Sequence, residues 1–253
     1  MKRAQLLTVS VLTWFGLAGA GIAGDVQTWL DRMQATLESA HHANLEGEVH
    51  VEQAGMAIAM KMSGNITYKD QTHSKVKIKM TMDAPGLAGG DGSEPMTMQM
   101  LAVQDGEFAW AETHISIMPQ PTVIKSKAGK GAPGEDMMGV TNPMSQIEEL
   151  QNYASFKILE ENSRRVVVGG ALDREAIRSM NLGPGTNLSN FESMDYRIEI
   201  DAVTAFPTSM TVTANGKKLI EFYYKNVRVL DPATVPDSAF RYTPPPGVEV
   251  QEQ

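Results

Sequence analysis

Lys75-Val76-Lys77-Ile78-Lys79-Met80-Thr81-Met82 decides the fold class. Apolar residues at 76, 78, 80 and 82 alternate with Lys75, Lys77, Lys79 and Thr81. A period of two puts the first set on one face of a strand and the second on the other, whereas a helix would scatter both around its circumference. One apolar and one lysine-rich face is the pattern of an antiparallel sheet packed on one side and wet on the other. The neighbouring segments repeat it. Leu45, Gly47, Val49 and Val51 oppose Glu46, Glu48, His50 and Glu52. Met56, Ile58, Met60, Met62, Ile66 and Tyr68 share a face, and Met96, Met98, Met100 and Ala102 alternate with Thr97, Gln99, Leu101 and Val103.

Working outward, Asp105-Gly106 is a hairpin turn that returns as a strand over Phe108–Ile117, carrying Trp110. Further strands are expected near Thr122–Lys127, Phe156–Leu159, Arg165–Val168, Ser193–Ala202 and Pro207–Ala214. The Asn215-Gly216 turn leads into Lys217–Val229, and Phe240–Val250 closes the chain. Helical spacing appears in three places. Asp25 caps a segment to about Ala40, with Val26, Trp29, Leu30, Met33 and Leu37 on one face. Asn142-Pro143 opens a second helix, over 142–154, marked by Ile147, Leu150 and Tyr153. Leu172–Met180 reads as a short third. Gly- and Pro-rich loops fall at 83–95 and 126–141. The expectation is an α+β fold: a large, curved antiparallel sheet of about ten or eleven strands with two or three helices on one face.

The chain has 253 residues, a formal charge of −8, 17 methionines and no cysteine. Zero cysteine rules out a disulfide scaffold, a thiolate metal site, a cysteine nucleophile and an acylated N-terminal cysteine. The acidic balance argues against nucleic acid as a partner. Met1-Lys2-Arg3, the apolar Leu6–Leu17 and the small residues Ala18-Gly19-Ala20 read as a signal peptide cleaved near residue 24. Residues 25–253 are then one exported domain, placed in a bacterial periplasm, and no later segment is long enough to span a membrane. Gly129-Lys130-Gly131-Ala132-Pro133-Gly134 matches a nucleotide-loop spacing but lies outside a βαβ unit and reads as a loop. No serine elbow or hydrolytic zinc spacing is present, so no enzyme activity is expected.

Several features coincide: the amphipathic helix behind a signal, the strand–turn–strand Val103-Gln104-Asp105-Gly106-Glu107-Phe108-Ala109-Trp110, the helix opening Asn142-Pro143-Met144, and the tail Phe240-Arg241-Tyr242-Thr243-Pro244-Pro245-Pro246-Gly247-Val248-Glu249-Val250. Together these resemble the LolA-like family of periplasmic lipoprotein carriers. The resemblance implies a half-open β-barrel whose helices form a lid over an apolar cavity for acyl chains. It also implies a soluble carrier, expected to be monomeric, that meets donor and acceptor proteins of the inner and outer membranes. Tyr68-Lys69-Asp70-Gln71-Thr72-His73 lacks the arginine and proline that help lock the lid in such carriers, so the lock is absent or built differently.

The methionines give this expectation a chemistry. Met56, Ile58, Met60, Met62, Ile78, Met80, Met82, Met96, Met98, Met100 and Trp110 are the candidate acyl-binding wall. Methionine is unbranched and polarizable, so it repacks around differing apolar ligands where a leucine or valine wall would specify one shape. Burying about ten methylenes is worth on the order of 8 kcal/mol before entropic losses. Three other readings compete: an ordinary core built from methionine, a sensor or scaffold that docks a protein on the same face, and a Cu(I) site of Met-x-Met thioethers with histidine help. His41 and His42 are expected exposed at the end of the first helix. No cofactor and no resident metal are expected.

Overall fold

A computed structural model describes residues 25–53, 56–83, 95–128, 155–179 and 191–253. The expected signal peptide, the helix at 142–154 and most of the two long loops lie outside the described residues.

Helix α1 spans Val26–Leu37, and its 3–4 spacing buries Trp29, Leu30, Met33 and Leu37. It ends three residues before the expected Ala40, because the chain turns into strand β1 at His41. The strands follow as β1 His41–Gln53, β2 Met56–Asp70, β3 His73–Asp83, β4 Met96–Asp105, β5 Phe108–Ile115, β6 Thr122–Lys127, β7 Ser155–Glu161 and β8 Arg165–Asp173. A six-residue helix, α2, covers Arg174–Ser179. Then come β9 Ser193–Asp201, β10 Pro207–Ala214, β11 Lys217–Val229 and β12 Val250–Glu252.

The twelve strands of the described residues form one sheet in the order β12-β6-β5-β4-β3-β2-β1-β11-β10-β9-β8-β7. Its pairs are antiparallel except β12, which runs parallel to β6. The end strands β12 and β7 do not pair with each other, so the sheet stays open. Twelve strands are one more than the ten or eleven expected; in the closing segment only Val250–Glu252 is strand. The expected lid of two or three helices is not matched. Among the described residues only α1 exceeds two turns, and α2 is the short helix expected near Leu172–Met180.

The core lies on the inner face of the sheet. Leu30, Met33 and Leu37 of α1 meet Ala43, Leu45, Ile66 and Val76 on one flank and Val166, Val168, Ile198 and Ile200 on the other. Trp29 Nε1 donates to Glu161 Oε1 of edge strand β7 at 3.2 Å. The curved sheet thus wraps α1 from both sides. Helix α2 places Ile177 with Leu172, Met194, Val212 and Ala214, a second cluster on β8–β10.

Candidate functional site

The register turns the methionine alternation into a grid. Met60 faces Met82, which faces Met96. One step along, Met62 faces Met80, Met80 faces Met98, and Met98 faces Ile115 of β5. The next row runs Leu45, Gly64, Ile78, Met100, Thr113. The row after it runs Ala43, Ile66, Val76, Ala102, Ala111. Alternation alone would permit a stagger of two residues between strands. The observed pairing instead sets the methionines side by side, with opposed Cβ atoms about 5 Å apart.

Burial falls along these rows. Leu45, Ile66 and Val76, beside α1, are sealed, and Ile78 is nearly so. Met62 is still buried at 8% exposure, whereas Met60, Met80, Met82, Met96, Met98 and Met100 are half-buried. Met80 and Met100 pack against the α1 core, which makes the methionine area continuous with it. Phe222 of β11 flanks the patch. Its ring lies across Gly47, where a Cβ would come within 2.2 Å of the ring, so only glycine admits it. Met56 and Ile58 lie at the start of β2, on the same even-numbered register; their side chains are outside the described set.

Trp110 does not join the other ten positions. It pairs with Val103, and that pair belongs to the opposite, outward face. There it meets Tyr242 at 5.2 Å between ring centroids and donates from Nε1 to Asp105 Oδ2 at 3.0 Å. The C-terminal tail covers this outward area. Val103, Val235 and Phe240 are buried together, with Leu101, Trp110, Leu230 and Tyr242 around them. Tyr242 Oη donates to Glu112 Oε2 at 2.6 Å, and burial together with that bond pushes the phenol's pKa up. Leu101 and Val103 were the available signal. They are apolar at positions where a wet face calls for polar side chains, and they mark where the tail lands.

His41 is also placed differently from expectation. It is 3% exposed, at the start of β1 rather than on a helix surface. Its ring stacks on Tyr68 at 5.4 Å and meets Phe206 edge-on at 5.1 Å. Nδ1 lies 2.8 Å from Ser39 O, an acceptor, so the ring donates there. Burial lowers its pKa. His42 is partly buried and pairs its Nδ1 with Thr67 Oγ1 at 2.9 Å.

Among the described residues no group of three or more His, Asp or Glu side chains could hold a metal ion. No described helix is long and apolar enough to cross a membrane.

No family model matches the chain, and no curated protein matches its sequence. Solved structures do. LprF from Mycobacterium bovis is 11% identical, with 81% of this chain and 96% of that one covered, at a TM-score of 0.44. A putative outer membrane lipoprotein-sorting protein domain from Vibrio parahaemolyticus is 10% identical, covering 85% of this chain and 97% of that one, at 0.30. A DUF1329 family protein from Desulfovibrio piger is 9% identical, covering 85% and 99%, at 0.28. At these scores the matches carry no functional weight, which rests on the geometry above.

Proposed function

We propose that this chain is a carrier of the bacterial envelope that holds the acyl chains of a lipoprotein, or of another lipid, on the methionine end of its inner face. One observation carries the reading: half-buried methionines on three adjacent strands, in register and continuous with a sealed core. A partly exposed wall of thioether side chains is apolar enough to take up hydrocarbon and loose enough to release it. The sealed core keeps the sheet in shape whether or not the wall is covered. The role is one of binding and transfer in the periplasm after export, and no side chain is assigned a catalytic step.

Organic extraction of the purified protein followed by mass spectrometry tests this. Co-purified acyl lipid at close to one equivalent is the expected result. Protein that carries no lipid, and takes none from added fatty acid, would remove the carrier reading. Changing Met96, Met98 and Met100 to leucine separates it from the soft-metal alternative. Lipid uptake should survive, since volume and polarity are nearly kept, whereas Cu(I) binding through thioethers would be lost.

A further inference from the structure

The outward face of β2–β4 carries a charge pattern that the core does not explain. Outward positions on β2 are Lys61, Ser63, Asn65, Thr67 and Lys69; on β3 they are Lys75, Lys77, Lys79 and Thr81; on β4 they are Thr97, Gln99, Leu101 and Val103. That is five lysines without a carboxylate between them, in a chain of formal charge −8. Lys69 is taken by Asp237 at 2.5 Å. Lys61, Lys77 and Lys79 are exposed, and among the described residues they form no ion pair. Acids border the strip on both sides: on β1 Glu46 is paired with Lys225, and Glu48 stands opposite Lys61 and 3.5 Å from His50; on β5 Glu112 accepts from Tyr242. Lys77 and Lys79 also line a shallow open groove with Asn44, Ser63, Asn65 and the Lys225-paired Glu46.

A second feature lies close by. The β5–β6 turn presents Ile117 and Met118, which are 76% and 47% exposed. The turn is held at the methionine end of the sheet, because Ser116 N donates to Thr97 O at 2.8 Å, beside Met96 and Met98. Lys79 shares a cross-strand row with Gln99 and His114. It therefore sits roughly 10 Å across the sheet and 7–10 Å along it from the turn. Cations set behind an apolar tip are the pattern of an interfacial membrane contact: the cations meet headgroup phosphates and the tip enters the acyl boundary.

We propose that Lys61, Lys77 and Lys79, together with the Ile117-Met118 tip, form a docking surface for an anionic phospholipid bilayer. Docking there brings the methionine end of the inner face to the membrane from which acyl chains are taken or to which they are given. The proposal rests on the carrier reading for its purpose but not for its test. The repulsion expected between an acidic protein and an anionic surface is overcome locally, within a Debye length of about 10 Å at 0.1 M salt.

Vesicle flotation of the full chain tests it, with phosphatidylcholine alone and with phosphatidylcholine containing three parts in ten phosphatidylglycerol. The chain should float with the second and not the first, and should be released at 1 M salt. Each lysine should contribute about fivefold, so Lys61→Gln/Lys77→Gln/Lys79→Gln should lose on the order of a hundredfold. Ile117→Ser/Met118→Ser should weaken binding severalfold while leaving its salt dependence in place. Circular dichroism and the extracted lipid serve as controls, because both sets of changes lie outside the methionine wall. Flotation lost with cargo retained supports docking; cargo absent from every form strikes the carrier reading alone. Wild-type chain that ignores anionic vesicles, or a triple variant that floats as wild type, overturns the proposal. So does charge reversal that abolishes capture by an acidic protein while vesicles are never bound.

Discussion

The two ends of the inner face are built from the same strands and differ in what fills them. Near α1 the rows hold Ala43, Leu45, Ile66, Val76 and Ala102, and every one is buried. Six residues further along β2, β3 and β4 the row holds Met60, Met82 and Met96, all half-buried. Branched residues have few rotamers and specify one packing, which suits a face permanently covered by a helix. Methionine specifies little and adapts, which suits a face whose covering changes. One sheet thus combines a fixed end that supplies stability with a yielding end to which the proposed function assigns binding.

The largest expected effect breaks the fixed end. Leu30→Ala or Ile66→Ala removes a sealed side chain and should cost about 2–5 kcal/mol of stability by chemical denaturation. A loss below about 1 kcal/mol would mean that α1 is not the permanent cover. The next change is to ligand affinity rather than stability. Met60→Ser/Met80→Ser/Met98→Ser should weaken fatty-acid binding by tenfold or more, because three apolar contacts become polar. Unaltered affinity in a titration would place the ligand elsewhere. A milder change sharpens the contrast: Met80→Leu/Met98→Leu should shift stability by less than about 1.5 kcal/mol. It should also narrow the range of chain lengths bound, since leucine adapts less.

The smallest effect concerns pH at the fixed end. Burial lowers the His41 pKa below its unfolded value, so the unfolded chain binds the proton more readily. The stability associated with neutral His41 is therefore complete above about pH 6.5 and declines as the pH falls below it toward the folded pKa. His41→Phe should flatten that part of the stability–pH curve. A curve unchanged by the substitution would mean that another group sets the slope.

Much of this arrangement was legible in the sequence. The spacing of Trp29, Leu30, Met33 and Leu37 gave α1, and alternation gave β1–β4 with the methionines on one face. Those signals are local, set by a period of 3.6 or 2. What alternation does not encode is what covers each face. A large aromatic suggests an interior, which points Trp110 to the methionine wall, yet its interior is the one made by the C-terminal tail on the other side of the sheet. Polar residues at a helix end are usually exposed, which is the sequence expectation for His41. Its burial depends on Tyr68 and Phe206, which are distant in sequence and arrive only with the tertiary fold. The alignment of methionines into rows is of the same kind, since strand register is a property of pairs of segments.

The central claim is that acyl chains lie on the methionine rows beside the α1 core. Photocrosslinking with a diazirine fatty acid, followed by peptide mapping, tests it most directly. The account predicts label on Met60, Met62, Met80, Met82, Met96, Met98 or Met100, competed by unlabelled fatty acid. Label confined to the outward face around Trp110 and Tyr242, or no competable label at all, would contradict it.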